Sequence, residues 1–468
     1  MNKSDLREVA RQEFKFIVDT YILPLLPTPI EKIDDGEHYI NDPQNISPNK
    51  HIKFCPIQKW IDIYPAPQNP QFHFRISSHD TPNVRAAEFI LNEIMRVSQY
   101  DYSDPNFSQI KYHDHDIKGT MVYRNTRFNL AYEVGLCMWL GGISVFRLLE
   151  KMNTWSQKTY EGQRMSFSFI IDATKMARGE NDYIRFLDSS HSAVFTDGMS
   201  SGIALDNDGY IVKYFTTNDS PQLGSNGLHE LNNEHLTLAP YRFQDFANRC
   251  YPEKGGPTWI GIISQANGDI LIFKQKKIIF TKRNGEWRYI DSHRIFSIIA
   301  DYLRVDEERK LMYAKQIYLS LLDSSFSHTG GCIAIIDEQH KKTVIEEFFP
   351  DDDLECVEPG EEKKCIIKRL INSGDGNDDR SFFSLDRKLR QDMLSLDGAT
   401  IIDHSGKILG VGAIVKIDGG SEEGGRTAAA KQLAPYGLAI KISMDGRIHG
   451  YRSNTDNSSL VEKVFTLF

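Results

Sequence analysis

Two short segments in the C-terminal third of the chain carry residue types that phosphate chemistry needs. Asp397 and Gly398 stand on a predicted turn before a β-branched run, and Gly424 and Gly425 precede Arg426 and an alanine-rich helix. A carboxylate is a hard oxygen ligand and can hold a divalent cation against phosphate oxygens. Backbone N–H groups at a helix N-terminus can bind phosphate, and glycine lets the ligand approach closely. Together the two segments predict a nucleotide site.

The start of the predicted helix adds further candidates for phosphate contacts. Arg426 supplies a planar, permanently charged fork that matches phosphate oxygens. Thr427 adds a backbone N–H, and Lys431 lies one helical turn later on the same face. A plain connecting loop is the alternative interpretation of the glycines, but it has no need for an arginine directly before small helical residues. We therefore favour the phosphate site.

In this order the two motifs resemble the diadenylate cyclase domain, a nucleotidyltransferase module that condenses two ATP molecules into cyclic di-AMP. The similarity begins with a helical pattern near Lys310. It continues through residues 327–336, which are similar to the family's turn and strand at the nucleotide pocket, and ends with residues 436–448, which are similar to its last core strand and acidic turn. About a third of the chain is covered.

The resemblance implies an α/β domain with a mixed sheet flanked by helices, and it implies roles for individual residues. Asp397 and Arg426 would be catalytic, and Asp397 and Asp445 would hold Mg²⁺ or Mn²⁺. The nucleotide would be bound by a larger set of residues: Gly398, Ala399, Gly424, Gly425, Thr427, Lys431, His328, Thr329 and Gly330.

The chain departs from the family pattern at three places. Leu396 replaces the histidine that usually precedes the aspartate. The family's Arg-His-Arg triplet is Arg426-Thr427-Ala428 here, so one arginine of two remains. The Ser-Glu-Glu turn is Ser443-Met444-Asp445, in which the metal-binding carboxylate would be one methylene shorter.

Two functions remain open at this point. The resemblance implies an enzyme that joins nucleoside triphosphates, ATP or another, into a cyclic or linear dinucleotide with release of pyrophosphate. In this family two nucleotide-loaded domains meet face to face, so a homo-oligomer is expected. The alternative is an inactive sensor of a nucleotide or dinucleotide in a bacterial signalling or antiviral defence system. The retained Asp397 and glycine–arginine loop tilt the sequence towards the enzyme.

Composition excludes several other classes of protein. The formal net charge of −9 argues against a broad nucleic-acid-binding face. The six cysteines lack the paired spacing of zinc or redox motifs, which is typical of reduced thiols. The most hydrophobic window, residues 134–149, is shorter than the ~20 residues of a membrane-spanning helix and contains Arg147. We expect a cytoplasmic protein without a membrane anchor.

Hydrophobic periodicity divides the chain into three predicted modules. Residues 1–160 form a mostly helical module, with helices over 4–25 and 83–97 and a third ending near Met152. Residues 161–303 form a β-rich α+β module that ends in a meander over 268–290. Residues 310–468 form the α/β domain.

Two further patterns are given ordinary interpretations. Asp197-Gly198 and the following turn at Asp208-Gly209 repeat the layout of Asp397-Gly398 and its following turn, which would fit an old duplication. Asp-Gly is the commonest hairpin signal, so the sequence alone favours coincidence. The segment 112–116 has metal-like residue types but is interpreted as a solvated loop.

Overall fold

The computed structural model describes residues 52–55, 60–63, 74–77, 93, 143–155, 159–160, 162–171, 197–206, 209–217, 237–250, 259–290, 292–348, 366–367, 369–371, 381–415, 424–453 and 460–468. The chain divides into two compact units. One comprises Met1–Pro221 with Asp245–Asp291, and the other comprises Gln222–Gln244 with Ser292–Phe468. The predicted helices over 4–25 and 83–97 and the segment 112–116 lie outside the described residues.

The first unit is built on a mixed, seven-stranded sheet. Its elements are α1 (Ile143–Trp155), β1 (Phe167–Ile171), β2 (Ser201–Leu205), β3 (Ile211–Thr216), α2 (Gln244–Arg249), β4 (Ile260–Ser264), β5 (Ile270–Lys274), β6 (Lys277–Arg283) and β7 (Glu286–Tyr289). The strand order is β7-β6-β5-β4-β1-β2-β3, with β1 and β2 parallel and all other neighbours antiparallel. Two small sheets lie outside it, formed by Ile52–Cys55, Trp60–Ile63 and Phe74–Ser77, and by Thr159–Tyr160 and Gln163–Arg164.

The central strands of this sheet are apolar on both faces because both faces are covered. Every residue of β1, β2 and β4 is buried. On one face, Phe246 of α2 packs edge-on against Phe273 and tilted against Phe215. The predicted meander is confirmed as β5–β7, and Asn284 and Gly285 both have positive φ in its last turn, as a tight hairpin requires.

The second unit is a mixed, six-stranded sheet with helices packed against it, which confirms the predicted α/β class of the C-terminal domain. Its elements are α3 (Ser292–Asp301), α4 (Glu307–Phe326), β8 (Gly331–Ile336), α5 (Lys341–Phe348), α6 (Arg387–Leu394), β9 (Ala399–Asp403), β10 (Ile408–Ala413), α7 (Gly425–Leu433), β11 (Gly437–Ile442), β12 (Ile448–Ser453) and β13 (Val461–Leu467). The strand order is β10-β9-β8-β11-β12-β13. Only β8 and β9 are parallel among these neighbours.

A buried ion pair joins a segment from the middle of the sequence to the second unit. The guanidinium of Arg387 donates to both carboxylate oxygens of Asp323, at 2.6 and 2.9 Å. Arg387 also donates to the Ala239 carbonyl, and the Tyr241 N–H donates to Asp323. These bonds explain why residues near 240 belong to the second unit, although the sequence places them in the middle module.

The two sheets share one strand arrangement, with β7 as an additional strand in the first. In each, the first strand in sequence lies in the centre, parallel to the second strand and antiparallel to the fourth. The pairings are also in register. Phe169 stands opposite Ile203 in β1 and β2, as Ile333 stands opposite Thr400 in β8 and β9.

The antiparallel pairing in the centre gives the same alignment. Ser168 stands opposite Ile263, and Cys332 stands opposite Lys441. Because Phe169 and Ile333 are already matched, their preceding residues Ser168 and Cys332 are matched as well. Ile263 in the first sheet is therefore the positional equivalent of Lys441 in the second.

The turns between matched strands use the same hydrogen bonds. After β2, the Asp206 carboxylate accepts from the Tyr210 N–H at 2.8 Å. After β9, the Asp403 carboxylate accepts from the Lys407 N–H at 2.9 Å. The glycine three residues after each aspartate has a φ of 89°. Shared order, register and turn bonding favour an internal duplication over coincidence.

The strand register also corrects the proposed match between the two Asp-Gly motifs. Ile203 of β2 and Thr400 of β9 are matched. Counting back from them aligns Ser200 with Asp397, and Ser201 with Gly398. Asp197 lies three residues too early. The local similarity of sequence was therefore a coincidence, although the duplication that it hinted at is supported.

Candidate functional site

A cavity of about 470 Å³ opens in the second unit where strand ends meet the start of α7. Four segments line it: the turn before β9, the end of β10, the first turn of α7 and the end of β11. The lining residues are Asp397, Gly398, Ala413, Ile414, Val415, Gly424, Gly425, Arg426, Thr427, Ala429, Lys441, Ser443 and Met444. The structure thus brings the two predicted motifs to one place.

The turn before β9 presents Asp397 at the edge of the cavity. Gly398 has a φ of 94°, and a Cβ there would lie 2.6 Å from the Ala413 carbonyl oxygen. Only glycine fits this left-handed position against neighbouring backbone. The Asp397 side chain is 90% exposed, so its carboxylate is accessible to a ligand or cation.

The start of α7 forms an open cradle. Gly424 caps the helix with a φ of 86°, and no side chain makes a capping hydrogen bond. Among the residues that the structure describes, no atom lies within 4 Å of the position that a Cβ would take on Gly424 or Gly425. The first N–H groups of a helix have no intrahelical acceptor, and they attract anions. The start of α7 therefore has the backbone character of an anion-binding site.

Arg426 lies between this cradle and the turn that follows α4. Its guanidinium packs so closely on Gly330 that a Cβ there would lie 2.8 Å from Nη1, and it also lies next to Met444. Nη2 is 3.7 Å from Asp397 Oδ1. Nε is buried and makes no hydrogen bond to any residue that the structure describes. The side chain is thus held by packing, and 29% of its surface remains exposed.

Several predicted residues lie near the cavity without lining it. Ala399 is buried in β9. His328 is exposed, and its ring lies 3.1 Å from the carbonyl oxygen of Met444, a lining residue. The hydroxyl of Thr329 donates to the Ser324 carbonyl at the end of α4. Lys431 lies further along α7, outside the lining residues.

Asp445 is engaged by its own turn. Its carboxylate accepts from the Arg447 N–H at 3.2 Å and lies 3.6 Å from the guanidinium of the same residue. It is not a lining residue. The described residues contain no group of three or more His, Cys, Asp or Glu side chains placed to hold a metal. A cation at Asp397 would therefore need oxygens from the ligand, as Mg²⁺ commonly takes from phosphates.

Sequence reasoning missed the contributions of β10 and β11. Lys441, Ser443 and Met444 line the cavity from β11 and its turn, and Ile414 lines it from the end of β10. The signal for Lys441 was present, because it is the one charged residue within the apolar run of β11. Its direction depends on the pairing of the strand, which the sequence does not reveal.

The chain matches no protein-family model, and a search of curated proteins gives no significant match. Within the described residues, no helix is both long enough and apolar enough to cross a membrane.

Proposed function

We infer that the second unit binds a nucleotide, and that Arg426 at the start of α7 is its principal phosphate contact. The observation that carries this proposal is the packed Arg426 side chain, 29% exposed, directly beside a glycine cradle. Arginine is well suited to phosphate, and a helix N-terminus adds a favourable dipole. The proposal agrees with the resemblance to diadenylate cyclase domains.

The charge of the lining supports an anionic ligand. Among the lining residues that the structure describes, Arg426 and Lys441 contribute positive charge and Asp397 contributes negative charge. This excess of positive charge occurs in a chain whose formal net charge is −9. A local reversal of sign concentrates anions at the cavity.

The remaining lining residues support a ligand that also has an apolar part. Ile414 and Met444 are 54% and 65% exposed, which is unusual for large apolar side chains, and Val415 and Ala413 lie beside them. A nucleotide combines an anionic phosphate with a flat, largely apolar base. Inorganic phosphate would leave this apolar surface uncovered.

Binding for signalling, without catalysis, is the use that the geometry favours. Asp445, the second metal ligand implied by the resemblance, is occupied by its own turn. The single lining carboxylate, Asp397, lies within 3.7 Å of Arg426. We therefore propose a nucleotide or dinucleotide sensor derived from a nucleotidyltransferase fold.

The nucleotidyltransferase remains a second candidate because Asp397 is 90% exposed and accessible to a cation. Asp397 would hold Mg²⁺ or Mn²⁺, which would polarise the α-phosphate when bound. Arg426 and the cradle would orient the phosphates. As in related domains, two such sites would have to face each other in a homo-oligomer.

The deciding experiment measures binding and turnover on the same preparation. The full chain is incubated with Mg²⁺ or Mn²⁺ and each nucleoside triphosphate in turn, and pyrophosphate and dinucleotide are quantified. Binding of the non-hydrolysable analogues is measured by calorimetry. Binding without turnover supports the sensor, dinucleotide formation supports the transferase, and the absence of both contradicts the proposed site.

A single substitution separates the two roles of Asp397. Asp397→Asn keeps the shape of the turn and removes the charge that would hold a cation. We expect triphosphate binding in EDTA to stay within about threefold of the wild type, because the exposed pair with Arg426 contributes little. A transferase would lose turnover by orders of magnitude. Loss of metal-free binding in this variant would instead identify Asp397 as a structural turn residue.

A further inference from the structure

Lys441 is a charged residue in a strand, β11, that is otherwise apolar. Its neighbours on either side, Ile440 and Ile442, are fully buried, whereas Lys441 is half-buried and lines the cavity. Cys332, directly opposite on β8, is also buried. Lys441 therefore brings a positive charge to the cavity from a strand whose other residues are apolar.

Comparison with the first sheet shows what the fold itself requires at this position. The equivalent residue is Ile263, which is fully buried, and it supports the same strand pairing. An apolar side chain therefore satisfies the architecture. The strand pairing therefore does not require the positive charge of Lys441, which lines the cavity of the second unit.

The two cations reach the cavity from separate elements. Arg426 projects from α7 and lies beside Gly330 and Met444. Lys441 projects from β11, and its α-carbon lies about 7 Å along the strand from Ser443, the residue before Met444. Two cations that line one cavity from separate elements can each contact one of two linked phosphate groups.

Further positive charges, Lys463 and Arg447, lie near Lys441 around His449. His449 stands opposite Lys441 on β12. Burial, followed by the charges of Lys463, Lys441 and Arg447, lowers the pKa of His449 to about 4, although Asp445 acts in the opposite direction. The imidazole therefore stays neutral at neutral pH, and Lys441 remains the cation that this part of the sheet directs into the cavity.

We propose that Lys441 is a second phosphate contact and that it selects ligands with at least two linked phosphate groups over nucleoside monophosphates. This inference rests on the proposed nucleotide site and assigns the discrimination against monophosphates to Lys441, a residue to which the resemblance gives no role. Arg426 would bind one phosphate with the cradle of α7. Lys441 would bind the next.

The test is calorimetric titration of the full chain in EDTA with AMP, ADP, a non-hydrolysable ATP analogue and pyrophosphate, the last as a probe without a base. Lys441→Met keeps the length of the side chain and removes its charge. We expect it to weaken binding of ADP, the ATP analogue and pyrophosphate by about tenfold or more, and binding of AMP by less than about threefold.

Two control variants define the interpretation. Lys441→Arg retains the charge and should keep ADP affinity within about threefold of the wild type. Lys463→Met removes the same charge from an exposed position on β13, outside the lining residues, and should leave all affinities unchanged. Melting temperatures of all three variants show whether the fold is retained.

The outcomes distinguish this proposal from the proposed function. If Lys441→Met has no effect, or weakens AMP and ADP equally, the selectivity is overturned while nucleotide binding stands. If the folded wild type binds none of the four probes, both proposals are overturned. If the selective loss also occurs in Lys463→Met, a general electrostatic field is responsible, and the specific contact is overturned.

Discussion

The two sheets share a strand arrangement but differ in the side chains at matched strand ends. Ala413 at the end of β10 lines the cavity and stands opposite Ala399. In the first sheet, Phe215 stands opposite the matching residue, Gly202, and its ring lies so close that a Cβ on Gly202 would be 2.4 Å away. Phe215 is buried and packs against Phe246 of α2. Aromatic side chains therefore fill the space that small residues leave open in the second sheet.

The turn before β2 in the first unit also differs from the turn before β9 in the second. In the first unit, the Asp197 carboxylate accepts from the N–H groups of Ser200 and Ser201, at 2.8 and 3.0 Å. Burial acts to raise the pKa of Asp197, but hydrogen bonds from Ser200, Met199 and Ser201 lower it to about 2. Backbone N–H groups of this turn thus donate to a carboxylate from the turn itself. In the second unit the equivalent turn instead presents the exposed Asp397 to the cavity.

One strand arrangement can therefore support either a packed core or a binding cavity. The choice depends on a few side chains at the strand ends and on the helix that covers them. We propose that the second unit uses this framework for a site, at strand ends where the described residues of the first unit pack aromatic side chains. Each prediction below would strengthen or break this contrast.

The largest expected effect concerns the aromatic filling of the first unit. Phe215→Ala removes a buried ring and should destabilise the first unit by about 3–5 kcal/mol. Tyr214→Ala, at the preceding and 53% exposed position, should cost less than about 1 kcal/mol. Hydrogen exchange of β2, β3 and α2 measures both. Equal losses would show that Phe215 does not fill a core.

The next prediction concerns the number of sites. Arg426→Ala should weaken triphosphate binding by about 1.5–3 kcal/mol, the usual worth of a hydrogen bond to a charged group. Lys431→Ala, on the same helix but outside the lining, should cost less. Calorimetry should give one nucleotide per wild-type chain. Two equivalent nucleotides per chain, or unchanged affinity in the Arg426 variant, would break the contrast between the units.

The smallest effect is a pH dependence that only the second sheet should contribute. His449 replaces Leu271 of the first sheet at the equivalent position on β12. Its pKa is lowered from 6.5 to about 4, chiefly by burial, so the unfolded chain takes up this proton more readily. The contribution to stability is complete above pH 6.5 and is lost as the pH falls towards 4.

His449→Leu should therefore flatten the dependence of stability on pH over this range. The measurement is urea denaturation between pH 7 and 4, followed by a signal from the second unit. A wild type and variant with the same slope would show that His449 is solvated in the folded state.

Local sequence patterns predicted much of the second unit and two of the segments that line its cavity, the turn at Asp397 and the start of α7. The apolar runs predicted the strands, and the glycines before Arg426 predicted a helix start, since positive φ at Gly424 and an open N-terminus follow from adjacent residues. Gly398 likewise shapes the turn at Asp397 through its own backbone. Such features depend on neighbours in sequence, so the sequence alone reveals them.

Tertiary structure decided which side chains share the cavity. Lys441 and Ile414 line the same cavity as Arg426 because β11 pairs with β8, and β10 with β9, in a particular register. Asp445 is not among the lining residues that the structure describes, and its carboxylate bonds within its own turn. The equivalence of Lys441 and Ile263 likewise depends on pairing between distant strands. Side-chain alternation in a strand has a period of two, so a shift of one residue would turn Lys441 to the opposite face, and only the folded sheet fixes that register.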